Sequence, residues 1–453
     1  MLKQLFCKYK QFLIIYFGQI DMKKIIGMIA TGLFSINLLA SSPTGASKPD
    51  VWVNIYIHGI IRPVVDITDM VNISRQKLKQ TRYKHVTRYV RKNTVTHRSQ
   101  ALQEIGLQPI KMAPNPDNNG SRAIVAVFKK LKKYAGKEQE KEFFYTFGWS
   151  GLLCYESRQK AAKLLYQKLI RLVAELKSKD LNPKLRILGF SHGGNVAVQM
   201  ANLDPWSNLN SKLTVDELIT LGMPVHREND VLIRHPMFKK VYHFYSNGDI
   251  PQKLDFITTE YGSSFRRYQA RKCFAIPDKL TQIQVQFTKT YPNKAKYNKK
   301  ARSVTYDPSH IEMWFFGWTP NNYNVKAPMF PFPTAAFAPY LVDVINQNPS
   351  LGTNLVANVH LNEDKIVFTE RRWSNHHKIK NVTVPFITPD QYNELKQTAW
   401  TRRPPEHIDL TGKQVITDAI YFATGQRKLQ SHCSKAIGCK KRNCSDCARI
   451  CPA

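Results

Sequence analysis

The sequence predicts an α/β fold: a mostly parallel sheet flanked by helices, with basic insertions and a C-terminal extension. Three observations carry this expectation. Short runs rich in β-branched and aromatic residues recur, and each ends at a Gly- or Pro-containing loop: "VWVNIYIHGI" (51–60), "KEFFYTFGWSG" (141–151), "LRILGF" (185–190), "VDELITLGMPV" (215–225) and "KKVYHFYSNGDIPQ" (239–252). Between the second and third, Ala161, Leu164, Leu165, Leu169, Leu172, Val173 and Leu176 recur at helical spacing, the face of a helix that docks on a sheet. Strands alternating with helices favour parallel pairing. Third, the 185–190 run breaks at Ser191-His192 between glycines and resumes with helical spacing from about Asn195, which reads as strand, sharp turn, helix.

Taken in order, the chain divides into a leader (1–42), a main domain (43–330), a C-terminal extension (331–425) and a Cys-rich basic tail (426–453). In the leader, Met22-Lys23-Lys24 precedes the apolar stretch 25–40 and then "SSPTGAS", the layout of a secretory signal. The sixteen residues of this stretch fall short of the roughly 20 that span a bilayer. Export to a periplasmic or extracellular location is therefore expected, with Met22 a better start than Met1; an uncleaved anchor is the alternative. Residues 75–111 carry ten Lys/Arg against one acid, Glu104, and 266–302 carry eleven Lys/Arg; both are expected to be basic surface insertions. Beyond 340 the patterns are mixed.

The 453 residues carry a net charge of +34, with 43% apolar and 11% aromatic residues. That apolar content can build a sizeable core and excludes wholesale disorder. The charge favours anionic partners such as a membrane surface. The same abundance of Lys, Asn, Ile and Tyr also follows from an AT-rich genome. Nucleic acid fits poorly with a secretory leader.

Gly189-Phe190-Ser191-His192-Gly193 fits G-x-S-x-G. A nucleophile on so sharp a turn needs small neighbours, because the strand and helix flanking it approach closely. A serine hydroxyl needs a base, and the base needs an orienting acid. Asp249 follows a strand in "SNGDIPQ", with Asp230 and Asp255 as rivals; His310 lies in "DPSHIEMW", with His235, His243 and His360 as rivals. Attack on a carbonyl also needs donors for the oxyanion. The backbone N–H of His192 is placed by the turn itself. The N–H of Ile60, after the strand ending at "HGI", is the second candidate.

With "YIHGI", "LGFSHGG", "ITLGMPV", "SNGDIPQ" and "SHIEMW" in this order over roughly 50–320, the chain resembles the α/β-hydrolase family, in particular its lipase-like and esterase-like branches. The resemblance implies a serine nucleophile, an acyl-enzyme intermediate and no cofactor. It implies an ester substrate, lipid-like in those branches. Acyl length, and the choice among lipase, thioesterase and amidase, are not inherited with it. A non-catalytic protein on the same fold, holding membranes or anionic polymers by its basic surface, is the competing expectation. The tail "HCSKAIGCKKRNCSDCARICPA" admits disulfides, a metal cluster or a free basic tail.

Overall fold

The structure, a computed structural model, describes residues 48–61, 84, 87, 88, 91, 98–114, 119–206, 211–255, 264–271, 274–291, 302–318, 323–371 and 381–403. The expected leader and Cys-rich tail lie outside the described residues, as does most of the first basic segment.

Its frame is an eleven-stranded mixed sheet. The strands are β1 (Asp50–Ile57), β2 (Gly106–Pro109), β3 (Glu142–Gly148), β4 (Asn182–Phe190), β5 (Val215–Leu221), β7 (Phe238–Tyr245), β9 (Leu280–Tyr291), β10 (Arg302–Tyr306), β11 (Asn354–His360), β12 (Lys365–Glu370) and β13 (Asn381–Pro385). A two-residue ribbon, β6 (Val225–His226) with β8 (Ser264–Phe265), lies apart from it. Seven strands run parallel in the order β3-β1-β4-β5-β7-β9-β11. Antiparallel strands close both ends: β2 beside β3, and β12 then β13 beside β11.

Both faces of β1, β4 and β5 are buried over most of their length, which is why these strands read as near-continuous apolar runs. One face packs against α1 (Asn119–Tyr134), α5 (Thr334–Gln347) and α6 (Pro389–Trp400). The other packs against α2 (Tyr155–Ser178) and α3 (His192–Gln199). Of the predicted apolar face of α2, Ala161, Leu165, Leu169, Leu172 and Leu176 are buried, while Leu164 and Val173 are half-buried at its margins. Truncating fully buried Leu165 or Leu169 to Ala costs about 2–5 kcal/mol. A short helix α4 (Pro251–Leu254) follows β7.

Three expectations change on this frame. The segment 266–302, taken for a basic insertion, contains β9, the longest strand of the sheet. Ile283, Val285 and Phe287 enter the core on one face; on the other, Gln282 accepts from the Tyr268 N–H at 2.8 Å and Gln284 donates to Asp307 at 3.2 Å. Buried glutamines, each hydrogen-bonded at one end of its amide, hid the alternation. In the first basic segment, Arg91 and Ser99–Leu102 are buried and β2 joins the sheet. Residues 334–400, set apart as an extension, supply α5, β11–β13 and α6 to the same sheet and core. Arg186 of β4 ties them down, with its Nε 2.6 Å from Glu217 and its Nη2 3.1 Å from Asp343 of α5, over the face of Trp52. Among the described residues no helix is long and apolar enough to cross a membrane.

Candidate active site

The site forms at the carboxyl ends of β1 and β4. The strand order reverses at this point, with β3 on one side of β1, and β4, β5 and β7 on the other, the place where open α/β sheets hold their ligands. Ser191 sits on the turn between β4 and α3 with φ 51° and ψ −129°. An L-residue holds such a conformation at a cost of about 1–3 kcal/mol, which the surroundings must over-determine. They do so by close approach: a Cβ on Gly189 would lie 2.6 Å from Gly194 Cα, and one on Gly193 would lie 2.4 Å from the His58 carbonyl oxygen. The Ser191 N–H donates to Leu221 O at 2.9 Å, and its carbonyl accepts from Gly194 N–H at 3.0 Å.

The other two side chains arrive on separate loops. β9 pairs with β7 over its first five residues and then runs past it, still paired with β11 as far as Thr288; β10 doubles back along Phe287–Tyr291. The hairpin returns the chain at Asp307, whose carboxylate accepts from Gln284 and Gln286 at 3.2 and 3.1 Å. His310 follows. Its Nδ1–H donates to Asp249 Oδ2 at 2.8 Å, and its Nε2 lies 3.1 Å from Ser191 Oγ. With the proton on Nδ1, Nε2 presents a lone pair to the serine hydroxyl. The Phe190 ring packs on the imidazole at 4.7 Å and stacks on Trp314. Glu312 braces the loop by accepting from the Ser309 N–H at 2.7 Å and the Tyr306 hydroxyl.

Asp249 is fully buried, Ser191 is 3% exposed and the His310 side chain 15%, so access is from the imidazole side. The second carboxylate oxygen of Asp249 accepts from Gln252 N–H at 3.2 Å, and its backbone carbonyl from Arg266 Nε at 2.9 Å. Gly222 lies directly against the pair. At φ +57°, a Cβ there would sit 2.7 Å from Asp249 Oδ2 and 3.2 Å from His310 Nδ1.

Neither the Ile60 nor the His192 N–H meets an acceptor among the described residues. Behind Ile60, the His58 imidazole fixes the turn: Nδ1–H donates to Gly59 O at 2.7 Å, while Nε2 accepts from Arg91 at 2.9 Å and from Trp149 N–H at 3.1 Å.

No protein-family model matches the chain, and no curated protein is similar to it.

The rivals are engaged elsewhere. Asp230 pairs with Arg271, and Asp255 with His192 and His226. His235 bonds the Asp204 carbonyl, and His360 lies 3.6 Å from Glu363. His243 donates through Nε2 to Arg266 O at 2.7 Å and accepts at Nδ1 from Thr220 at 2.8 Å. Three contributors carried no motif of their own: Gly222, Arg91 and Glu312. Gly222 does lie in the quoted "ITLGMPV", where its spacing after a strand offered the one available hint.

Burial pushes the His243 imidazole down to about 4. The unfolded chain takes up this proton near pH 6.5, the folded one only near pH 4. The unfolded state therefore binds more protons in that window, and stability falls as the pH is lowered through it. The full effect is about 3 kcal/mol. Thermal melts between pH 7 and 4.5 should show a falling Tm, with a flatter dependence in His243→Gln; equal slopes would place the acid sensitivity elsewhere.

Proposed function

We propose that the protein is an α/β-hydrolase-type serine hydrolase of carboxylic esters, exported by its leader and acting on lipid or acyl esters. One observation carries the reading: the continuous hydrogen-bonded chain Ser191–His310–Asp249 on a strained strand-to-helix turn. In this reading Ser191 Oγ attacks the ester carbonyl carbon while His310 Nε2 takes its proton. The Ile60 and His192 N–H groups receive the charge that develops on the carbonyl oxygen. The C–O bond breaks, and His310 returns the proton to the leaving alcohol. Water, deprotonated by His310, then attacks the acyl-enzyme and releases the acid, and the proton goes back to Ser191. Asp249 holds the imidazole in the required tautomer and stabilises its charged form. Ile250, next to the acid in sequence, is 61% exposed, an apolar side chain compatible with an apolar substrate.

A fluorophosphonate tests the reading. The wild type should be labelled at Ser191 and should cleave a series of p-nitrophenyl esters. A folded protein that neither labels nor turns over any ester would leave the fold as a binding scaffold.

The basic segments support weak association with anionic lipid. Several of their charges are turned inward: Arg91 bonds His58, Arg266 bonds Asp249, Arg271 pairs with Asp230, and Lys279 bonds two backbone carbonyls. Each Lys or Arg at an anionic surface contributes about 1 kcal/mol at most, and salt screens it. Binding to phosphatidylserine liposomes should therefore be modest and fall steeply from low to high salt. Salt-independent binding, or none at low salt, would remove the lipid surface as a partner.

A further inference from the structure

Directly beneath the serine turn, three residues from three elements converge. His192 is the first residue of α3, His226 ends β6, and Asp255 follows α4. Asp255 Oδ2 lies 2.6 Å from His226 Nε2 and 3.1 Å from His192 Nε2. One ligand atom from each residue lies within 4.8 Å of the others. Both histidines are buried, and the Asp255 side chain is 8% exposed.

Proton accounting shows what these atoms lack. His226 faces Asp255 with Nε2 and Glu228 with Nδ1, the latter at 3.7 Å. A neutral imidazole has one N–H and cannot serve both carboxylates. The Glu228 side chain is 9% exposed, yet both its oxygens and the Nδ1 atoms of His192 and His226 have no hydrogen-bond partner. Arg158, fully buried, is within electrostatic reach of Asp255 and Glu228.

We propose that His192 Nε2, His226 Nε2 and Asp255 Oδ2 bind a divalent cation of the zinc class, which clamps the serine turn to the acid loop. Two nitrogen donors and one carboxylate select zinc over calcium or magnesium. With the metal on Nε2, His226 keeps its proton on Nδ1 and gives it to Glu228, the usual outer partner of a ligating histidine. Bonds of about 2.0–2.1 Å at tetrahedral angles place ligand atoms ~3.3 Å apart, so the 2.6 and 3.1 Å contacts of Asp255 Oδ2 lengthen on binding, the first by about 0.7 Å. The ion touches none of the reacting atoms, and the site stands independently of the ester chemistry.

The test uses the full chain with Cys433, Cys439, Cys444, Cys447 and Cys451 changed to Ser, so that tail thiolates bind nothing. After dialysis against a weak zinc buffer this protein should retain one equivalent of zinc and melt higher than its chelator-treated form. Asp255→Asn and His226→Gln should retain close to none, whereas His360→Gln should retain the full equivalent. Pulsed electron paramagnetic resonance on the copper-loaded protein should show two imidazole nitrogens, a readout that needs no variant to fold. Retention of no zinc by the parent overturns the proposal. Full retention by Asp255→Asn or His226→Gln, or a copper signal without two imidazoles, overturns it equally.

Discussion

Ser191→Ala should lower kcat on an activated ester by on the order of 10⁵–10⁶-fold, with His310→Ala close behind and the double variant little worse. The non-additivity follows from the geometry. Ser191 Oγ is useful only while His310 Nε2, 3.1 Å away, can take its proton, and His310 has nothing to activate once the hydroxyl is gone. Residual turnover would come from the two oxyanion donors and substrate binding. Both variants should fold: Ser191→Ala removes one atom, and His310 is held by a loop that Glu312 and Asp307 brace independently. Melting temperatures within a few degrees of wild type would confirm that the loss is chemical. A folded His310→Ala enzyme with near-normal kcat would send the search for the base elsewhere.

Gly222→Ala should be the most damaging single methyl group in the site. An L-residue at φ +57° costs roughly 1–2 kcal/mol in backbone energy alone. The added carbon would lie 2.7 Å from Asp249 Oδ2, the oxygen that receives the imidazole N–H. Asp249 is buried and held by Gln252, so relief must come from lengthening or breaking its bond to His310. Losing the orienting acid costs up to about 10⁴ in kcat, so a fall of about 10²–10⁴-fold is expected, with KM changing much less. The Tm should drop by only about 5 °C. Wild-type kcat in folded Gly222→Ala would mean that the Asp249–His310 contact does not govern turnover.

The α/β class was legible because parallel strands buried on both faces must be predominantly apolar, and 51–57, 185–190 and 215–221 are. The residues that converge at Ser191 were legible for a different reason. A serine on a sharp turn needs glycines at fixed spacing, while an acid and a histidine in loops after strands are local features of composition. What escaped depends on pairings across sequence distance. β9 carries Gln and Thr on a buried face whose partners, Tyr268, Asp307 and Asn358, lie 14 to 70 residues away. Arg91 bonds His58 across 33 residues. Gly222 has no neighbour in sequence that reveals the carboxylate it must make room for. β11 to β13 alternate with polar residues because that end of the sheet is less deeply covered, and an alternating pattern does not say which sheet it joins.

The two ends of the open sheet have a bearing on how the protein survives at high concentration. An unpaired strand offers a row of backbone donors and acceptors on which another chain can grow, and long apolar edges seed aggregation. Here the end strands are β2, four residues, and β13, five residues, and each finishes on a proline, Pro109 and Pro385. A proline has no N–H to offer an incoming strand, and its ring obstructs continued pairing. β13 also carries Asn381 and Thr383 among its few positions. At these two ends, prolines and short strands discourage templating by other copies of the seven parallel strands that lie between them.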